Sequence, residues 1–245
     1  MARADGRRND EIRPLEFLRG YIPHAEGSCF VKMGNTWVIC TATVEEKVPG
    51  WLKGCGRGWI TAEYSMLPRA TGTRTLREAS MGRVGGRTHE IQRIIGRSLR
   101  SVINMSLLPE ITIRLDCDVI RADGSTRVAA VNGAFIALYE ALAGLRDERK
   151  ISEMPLDAFV AGISVGIVEG KLLTDLTYDE DSRAQVDLNL VMTDSGNIVE
   201  VQGTAEQKPF TRSELDSMLS AAEAGIARII SAQRASLFEG LAGGG

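Results

Sequence analysis

The chain has 245 residues, 44% of them hydrophobic and 25% charged, with a formal net charge of -3. This composition supports a buried core, which excludes a disordered chain, and the length fits one large domain or two small halves. No uninterrupted apolar run reaches the roughly 18 residues of a membrane span, and the polar N-terminus lacks the apolar centre of a secretion signal. We therefore expect a cytoplasmic protein with no membrane partner.

Periodic apolar patterns predict the secondary structure. Residues 35–46, 111–120, 158–168 and 184–193 alternate or are rich in β-branched side chains, which predicts strands. Helical spacing predicts helices over 88–105, over 132–145 and from Thr211 onward, where T-R-S-E is typical of a capping box. This order favours an α+β fold with two similar strand-rich halves and helices packed on the sheets. We assign residues 1–238 to a single domain and residues 239–245 to a flexible C-terminal tail.

The four cysteines show no metal-binding spacing. None belongs to a C-x-x-C pair and the chain has only two histidines, so a structural zinc site is not expected. Free thiols in a reducing compartment explain this usage. Cys117 falls on the apolar side of the alternating segment 111–120, so we predict that it belongs to the core.

An arginine-rich segment without lysine runs from Leu67 to Arg100. Between Arg57 and Arg100 the sequence has nine arginines and three glutamates, which gives a local charge of +6. The planar fork of arginine matches phosphate oxygens in pairs, which lysine cannot do. One basic face on an acidic protein indicates a polyanionic partner; the alternative is a solvated arginine surface with scattered ion pairs. The arginines of the segment are Arg69, Arg74, Arg77, Arg83, Arg87, Arg93, Arg97 and Arg100.

Two places in the sequence favour binding of a small anion. In G-G-R-T-H-E (85–90), Arg87 lies at the mouth of a predicted helix, whose free N–H groups attract anions. In R-A-D-G-S-T-R (121–127), a tight turn leads to Ser125, Thr126 and Arg127, where two hydroxyls, backbone amides and a guanidinium can surround an anion. Each motif alone is also compatible with a simple turn and helix cap.

A cluster of carboxylates supplies the third chemical feature. Five of them fall within thirteen residues, and we place Asp181 on a loop and Asp187 on the polar side of the following strand. Two converging carboxylates suit Mg²⁺, or one of them can donate a proton to a leaving oxygen. A solvated acidic loop is the alternative. Together, the three features indicate a site that holds a free anion beside a phosphodiester.

The chain resembles the bacterial ribonuclease PH family over nearly its whole length. The matching blocks, in order, are HAEGS, VPGWLKGCGRGWITAEYSMLPRAT, GGRTHEIQRIIGRSLR, DCDVIRADGSTR, YDEDSRAQVDLNLVMT and EVQGTAE. Members of this family are phosphorolytic 3′→5′ exoribonucleases, in which inorganic phosphate attacks the terminal phosphodiester of a tRNA precursor and a nucleoside 5′-diphosphate leaves. The resemblance implies a ribonuclease PH-type fold and a reversible tRNA nucleotidyltransferase that trims beyond the CCA end. It also implies a homohexamer built as a trimer of dimers, acting on tRNA precursors and other structured RNA 3′ ends, ribosomal RNA included.

The same resemblance implies roles for individual residues. Asp181 and Asp187 would be the catalytic carboxylates and would hold Mg²⁺. The residues implied to bind the attacking phosphate are Arg87, Ser125, Thr126 and Arg127. The residues implied to contact tRNA are Arg69, Arg74 and Arg77.

The chain departs from the family pattern at the phosphate-binding turn. The family usually has G-G-T-R-T-A-S where this chain has G-S-T-R-V-A-A, so Ser125 replaces a glycine. Serine still supplies a backbone N–H, provided that the turn does not require a positive φ. Two other functions stay open: a hydrolytic two-metal exonuclease, and a non-catalytic RNA-binding subunit of a ring assembly.

Overall fold

The computed structural model describes residues 3–238, which contain nine strands and four α-helices. The strands are β1 (Leu15–Arg19), β2 (Gly27–Met33), β3 (Thr36–Glu45), β4 (Trp59–Met66), β5 (Thr112–Arg121), β6 (Val160–Val168), β7 (Lys171–Thr174), β8 (Val186–Thr193) and β9 (Ile198–Ala205). The helices are α1 (Gly86–Arg100), α2 (Thr126–Asp147), α3 (Tyr178–Ser182) and α4 (Arg212–Phe238), and 3₁₀ turns cover Gly50–Leu52, Glu78–Met81 and Met105–Leu107.

The strands form two sheets, one in each half of the chain. The first has the order β1-β2-β3-β5-β4, with β4 parallel to β5 and the other neighbours antiparallel. The second is antiparallel in the order β7-β6-β8-β9. The predicted α+β fold with two strand-rich halves and helices packed on the sheets is therefore confirmed.

Helix α2 joins the two halves through a shared core. It contacts β2, β3 and β5 of the first sheet and β6 of the second, so its buried residues face both halves. By length and hydropathy α2 is the one described helix that would also fit a membrane span, but 78% of its most apolar window is buried inside the protein. Burial on nearly all sides explains why its sequence shows no polar stripe.

The alternating apolar side of β5 is buried as its sequence predicts. Ile113, Leu115, Cys117 and Val119 are each at most 1% exposed, which also confirms Cys117 as a core residue. Their side chains lie on one face because successive residues of a strand point to opposite sides of the sheet.

The helix boundaries differ from the predicted ones for local reasons. Helix α1 ends at Arg100 rather than at residue 105. The chain turns at Val102, and Ile103 is buried in an isolated bridge to Leu156 instead of continuing the helix. Helix α2 begins six residues before the predicted start at 132. Thr126 and Arg127 of the anion motif, which the sequence predicted to precede the helix, therefore belong to the first turn of α2.

Five strands had no clear signal in the sequence: β1, β2, β4, β7 and β9. Four of them (β1, β4, β7 and β9) are edge strands. β1 and β9 contain no buried residue, so their apolar pattern is weak. The single-domain assignment of residues 1–238 stays a prediction, and the tail over 239–245 lies outside the described residues.

Candidate active site

A polar cavity of about 730 Å³ opens between the two halves of the fold. The first half contributes the start of α1 and the turn between β5 and α2, and the second half contributes α3, β8 and β9. All six residues predicted to bind phosphate or act in catalysis line this cavity. They are Arg87, Ser125, Thr126, Arg127, Asp181 and Asp187.

The turn before α2 requires a left-handed backbone at Ser125. Gly124 has φ +75° and Ser125 has φ +58°, so the condition under which serine would be a neutral replacement is not met. The Ser125 hydroxyl donates to the carbonyl of Leu176 (3.0 Å) and lies 2.6 Å from Ser164 Oγ, which in turn accepts from the Leu176 N–H (3.1 Å). This closed ring uses the Ser125 proton, so Ser125 has only its backbone N–H to offer an anion.

Thr126 keeps a free proton for a ligand. Its hydroxyl oxygen accepts a hydrogen bond from the buried Tyr64 hydroxyl at 3.0 Å, which leaves its own O–H available to donate. Thr126 is also the first residue of α2, whose leading N–H groups have no acceptor within the helix. The first turn of α2 can therefore donate several hydrogen bonds to an anion in the cavity.

Arg127 is held in place across the interface between the two halves. Its guanidinium donates to the side-chain oxygen of Gln202 on β9, and the Gln202 amide donates to Glu90 on α1. Arg87 lies three residues before Glu90, on the exposed first turn of the same helix. The structure thus brings the two predicted phosphate-binding arginines to one end of the cavity.

Only two of the five clustered carboxylates reach the cavity. Asp175 and Glu180 pair with arginines of the N-terminal segment, and Asp179 pairs with Arg183 on the surface. Asp181 faces the cavity from α3, a short helix capped by Thr177, and not from a loop as predicted. Asp187 faces it from β8, on the predicted polar side of that strand.

The surroundings disfavour ionisation of Asp181 and Asp187. Burial raises the pKa of Asp187 to about 6, and the negative charge of Asp181 adds to the effect. Burial also raises the pKa of Asp181, against the opposing charges of Arg87 and Arg127. One oxygen of Asp187 is buried without a hydrogen-bond partner, while the other accepts from Asn189 at 3.1 Å. An orphaned carboxylate oxygen beside a second carboxylate fits a divalent cation, although no described group of three potential ligands exists.

Three further cavity residues, on β9 and just after it, were missed by sequence reasoning. Gln202 and Glu206 line the cavity together with Thr204, so alternate residues from β9 onward point into it. That alternation, inside the matching block EVQGTAE, was the available signal. The charge of Glu206 contributes to the raised pKa of both aspartates.

Two buried arginines near the N-terminus, which sequence reasoning also missed, hold elements of the site in place. Arg13 makes a two-pronged contact with Asp175 (2.7 and 2.9 Å) and donates to the carbonyl of Asp123 in the anion-binding turn. Arg3 makes a similar contact with Glu180 on α3, both bonds 2.7 Å long. Since both arginines are buried, the segment before β1 fixes the turn and α3 relative to each other.

The arginine-rich segment divides into ligand-accessible and structural residues. Arg69, Arg74 and Arg77 are exposed on the connection between β4 and α1, and within residues 3–238 no carboxylate pairs with them. Arg97 pairs with Glu200 at 3.1 Å. Arg100 donates to the carbonyl of Ile60 and stacks over Trp59, so it serves the fold and not a ligand.

Replacing Ser125 by glycine is expected to leave the phosphate dependence of turnover within about threefold of wild type, because the backbone N–H is retained. Glycine removes a left-handed strain of about 1 kcal/mol but also removes a hydrogen bond of similar value, so stability should change little. Ser125→Ala is the matched control, since it loses the hydroxyl and keeps the strain, and should unfold more readily by about 1–2 kcal/mol. Urea unfolding and phosphate titration of both variants measure these effects; a large rise in the phosphate KM of Ser125→Gly would contradict the assignment.

The fold and the site place two arginines and the first turn of α2 beside two carboxylates in a cleft between two sheets, an arrangement that suits phosphoryl-transfer chemistry. Sequence models of the 3′ exoribonuclease family match the chain in two parts, domain 1 over residues 11–143 and domain 2 over residues 158–225. The chain belongs to this family. It is 58% identical over 234 residues to Ribonuclease PH of Moorella thermoacetica, covering 96% of this chain and 94% of that protein.

Solved structures share the fold at much lower sequence identity. Rice Rrp46 superimposes with a TM-score of 0.77 at 21% identity, covering 96% of this chain and all of its own. The Archaeoglobus fulgidus exosome with RNA bound to the active site gives 0.78 at 22% identity, covering 94% of this chain and 92% of that one. An archaeal exosome core gives 0.74 at 23% identity, with coverages of 95% and 90%. The ribonuclease PH-type fold is therefore confirmed.

Proposed function

We propose that this protein is a phosphorolytic 3′→5′ exoribonuclease that trims nucleotides beyond the CCA end of tRNA precursors. One observation carries the proposal: Arg87 and Arg127 face the same cavity as Asp181 and Asp187. Arginines and helix N–H groups bind a free phosphate, which a hydrolytic enzyme would not need. The 58% identity to a protein named Ribonuclease PH supports the same activity.

The reaction exchanges one phosphate ester for a phosphoanhydride. An oxygen of inorganic phosphate bonds to the phosphorus of the terminal nucleotide, and the bond from that phosphorus to the preceding 3′ oxygen breaks. The 3′ oxygen takes up a proton, and the products are a nucleoside 5′-diphosphate and an RNA shorter by one residue. Because the product keeps a high-energy phosphate bond, the reverse reaction should add nucleotides from nucleoside diphosphates.

The residues of the cavity would act mainly by position and charge. Arg87, Arg127 and the first turn of α2 would hold the attacking phosphate in line with the scissile bond and offset its negative charge. Gln202 would keep the Arg127 guanidinium aimed into the cavity. Asp181 and Asp187 would hold Mg²⁺, which would neutralise charge on the reacting phosphodiester.

A labelled precursor tests the activity directly. The purified protein is incubated with Mg²⁺ and a tRNA bearing a labelled 3′ extension, with and without inorganic phosphate, and the released nucleotide is identified. We expect nucleoside diphosphates that form only when phosphate is present. Monophosphates released without phosphate would establish the hydrolytic alternative, and binding without release would establish the non-catalytic one.

The substrate and the assembly are part of the same proposal. A cytoplasmic homohexamer, built as a trimer of dimers, would present the exposed arginines Arg69, Arg74 and Arg77 to the body of a tRNA. Contacts to the phosphate backbone do not depend on base sequence, which suits an enzyme that processes many tRNAs and other structured RNA 3′ ends, including those of ribosomal RNA. Size-exclusion chromatography with light scattering tests the hexamer.

Replacing Arg69, Arg74 and Arg77 together by glutamine is expected to weaken binding of tRNA and to flatten its salt dependence, because up to three phosphate contacts are lost. The measurement is tRNA affinity at two or more salt concentrations. Turnover of a short single-stranded RNA should be nearly unchanged, since it does not reach these side chains. Replacing the structural Arg97 by glutamine serves as the control; an equal loss of affinity there would contradict the assigned roles.

A further inference from the structure

One exposed tyrosine lies at the candidate active site, and its side chain has no partner among residues 3–238. Tyr178 is 66% exposed, begins α3 and lines the same cavity as Asp181. Within residues 3–238 every other tyrosine and tryptophan contacts another ring or, for Tyr64, donates a hydrogen bond, whereas the Tyr178 side chain does neither. Both the position and the free ring face therefore favour a ligand over a structural role.

The backbone beneath this ring is firmly held. The Tyr178 N–H donates to Asp123 Oδ1 at 3.2 Å, and the preceding Thr177 caps α3 in a capping box with Glu180. Glu180 is itself fixed by the buried Arg3. An aromatic ring on such a rigid base loses little conformational freedom when a ligand packs on it, because only two side-chain torsions need to be ordered.

The location of the ring matches the position of a nucleobase. Tyr178 and Asp181 are three residues apart on one helix, which makes their side chains neighbours on its surface, with Cβ atoms about 5–6 Å apart. In the proposed reaction Asp181 faces the terminal phosphodiester, so the base of the same nucleotide is within reach of the ring. The rest of the cavity is lined mainly by polar and charged residues, which leaves this ring as its aromatic surface.

We propose that Tyr178 stacks on the base of the 3′-terminal nucleotide and thereby places the scissile phosphodiester beside Asp181. Stacking on an aromatic ring tolerates every base, because each base has a π face. Such a subsite suits a 3′ exonuclease that must accept whatever nucleotide a precursor ends with. The inference rests on the proposed exoribonuclease function and adds the contact that holds the nucleotide to be released.

The test compares the phosphorolysis of two RNAs that differ only in the terminal base. One ends in a normal nucleotide and the other in an abasic one, and both are given to wild type, Tyr178→Ala and Tyr178→Phe with phosphate in excess. For the normal RNA, Tyr178→Ala should raise KM about tenfold or more, with a smaller effect on kcat. Tyr178→Phe should have a KM near the wild-type value. For the abasic RNA, the three proteins should have similar KM values, since no base is present to stack.

The outcomes separate this inference from the proposed function. If wild type releases no diphosphate from either RNA, the proposed function fails. If wild type is active and Tyr178→Ala has the wild-type KM, or its KM rises equally for both RNAs, the proposed stacking subsite is wrong. Tyr21→Ala is the matched control, because Tyr21 is 48% exposed and does not line the cavity, and it should leave KM unchanged.

Discussion

Replacing Asp187 by asparagine is expected to stabilise the folded protein at neutral pH while lowering phosphorolysis at least a hundredfold. The pKa of Asp187 is raised to about 6, which means that the fold favours its neutral form. A group of this kind costs stability as pH rises through its folded-state pKa, and asparagine removes that cost. A full shift from 3.8 to about 6 corresponds to about 3 kcal/mol, which we reduce to about 1–2 kcal/mol because the side chain is partly exposed. The loss of activity follows if the carboxylate takes part in the reaction.

Urea unfolding of the metal-free protein at pH 4 and pH 8 measures the stability difference. It should be present at pH 8 and nearly absent at pH 4, where the carboxyl group of the folded wild type is already protonated. The buffer contains a chelator, because a bound cation would stabilise the ionised form of Asp187. Asp179→Asn is the control: Asp179 is exposed and, within residues 3–238, forms an ion pair only with Arg183, so both stability and activity should stay near wild type. A wild type more stable than Asp187→Asn at pH 8 would contradict the prediction.

Replacing Arg13 by methionine is expected to destabilise the fold by about 3 kcal/mol, because the buried carboxylate of Asp175 loses both short contacts to its main counter-charge and keeps only the longer contact to Arg7 (3.4 Å). Asp175 is fully buried, and its two oxygens bind the Arg13 guanidinium at 2.7 and 2.9 Å. Burial by itself would raise the pKa of Asp175, but the charge and hydrogen bonds of Arg13 outweigh it and lower that pKa. The pair therefore contributes stability above the unfolded-state pKa of Asp175, and this contribution is lost as pH falls through the lower folded-state value.

Denaturant unfolding at neutral pH gives the size of this effect. Arg8→Met provides the comparison within the same segment, since Arg8 pairs with Asp10 on the surface, with side chains 74% and 65% exposed, and should cost under about 0.5 kcal/mol. Adding Asp175→Asn to Arg13→Met should recover part of the loss, because it removes a buried charge that has lost its main partner. Equal stabilities of the Arg13→Met and Arg8→Met variants would refute a structural role for the buried pair.

The elements that sequence reasoning located have strong periodic patterns. The apolar side of β5 and the stripe of α1 were predicted because one face of each is buried and the other is not. Helix α2 was recognised as buried from its nearly continuous apolar run, but its start was missed, since its first turn serves the cavity and not the core. Among the edge strands, β7 was missed because it has only four residues, and β9 because none of its residues is buried.

The candidate site likewise contains residues that the sequence predicted and residues that only the structure revealed. Arg87, Arg127, Asp181 and Asp187 were predicted from the sequence because motifs of contiguous residues carry them, and the structure brings all four to one cavity. The sequence did not show, however, why Asp181 faces the cavity and its neighbours in the acidic cluster do not. Arg3 and Arg13, at the far end of the chain, bind Glu180 and Asp175, and that pairing leaves Asp181 as the carboxylate of α3 directed at the cavity.

The sequence by itself determined the family, the two strand-rich halves, the basic segment and the residue types needed to hold a phosphate beside two carboxylates. Only the tertiary structure decided which polar groups are free. It engages the Ser125 hydroxyl in a ring with Ser164 and Leu176, and it leaves the Tyr178 ring open. The physical reason is that a side chain's availability depends on partners far away in the chain, and these are set by how the two sheets and α2 pack together.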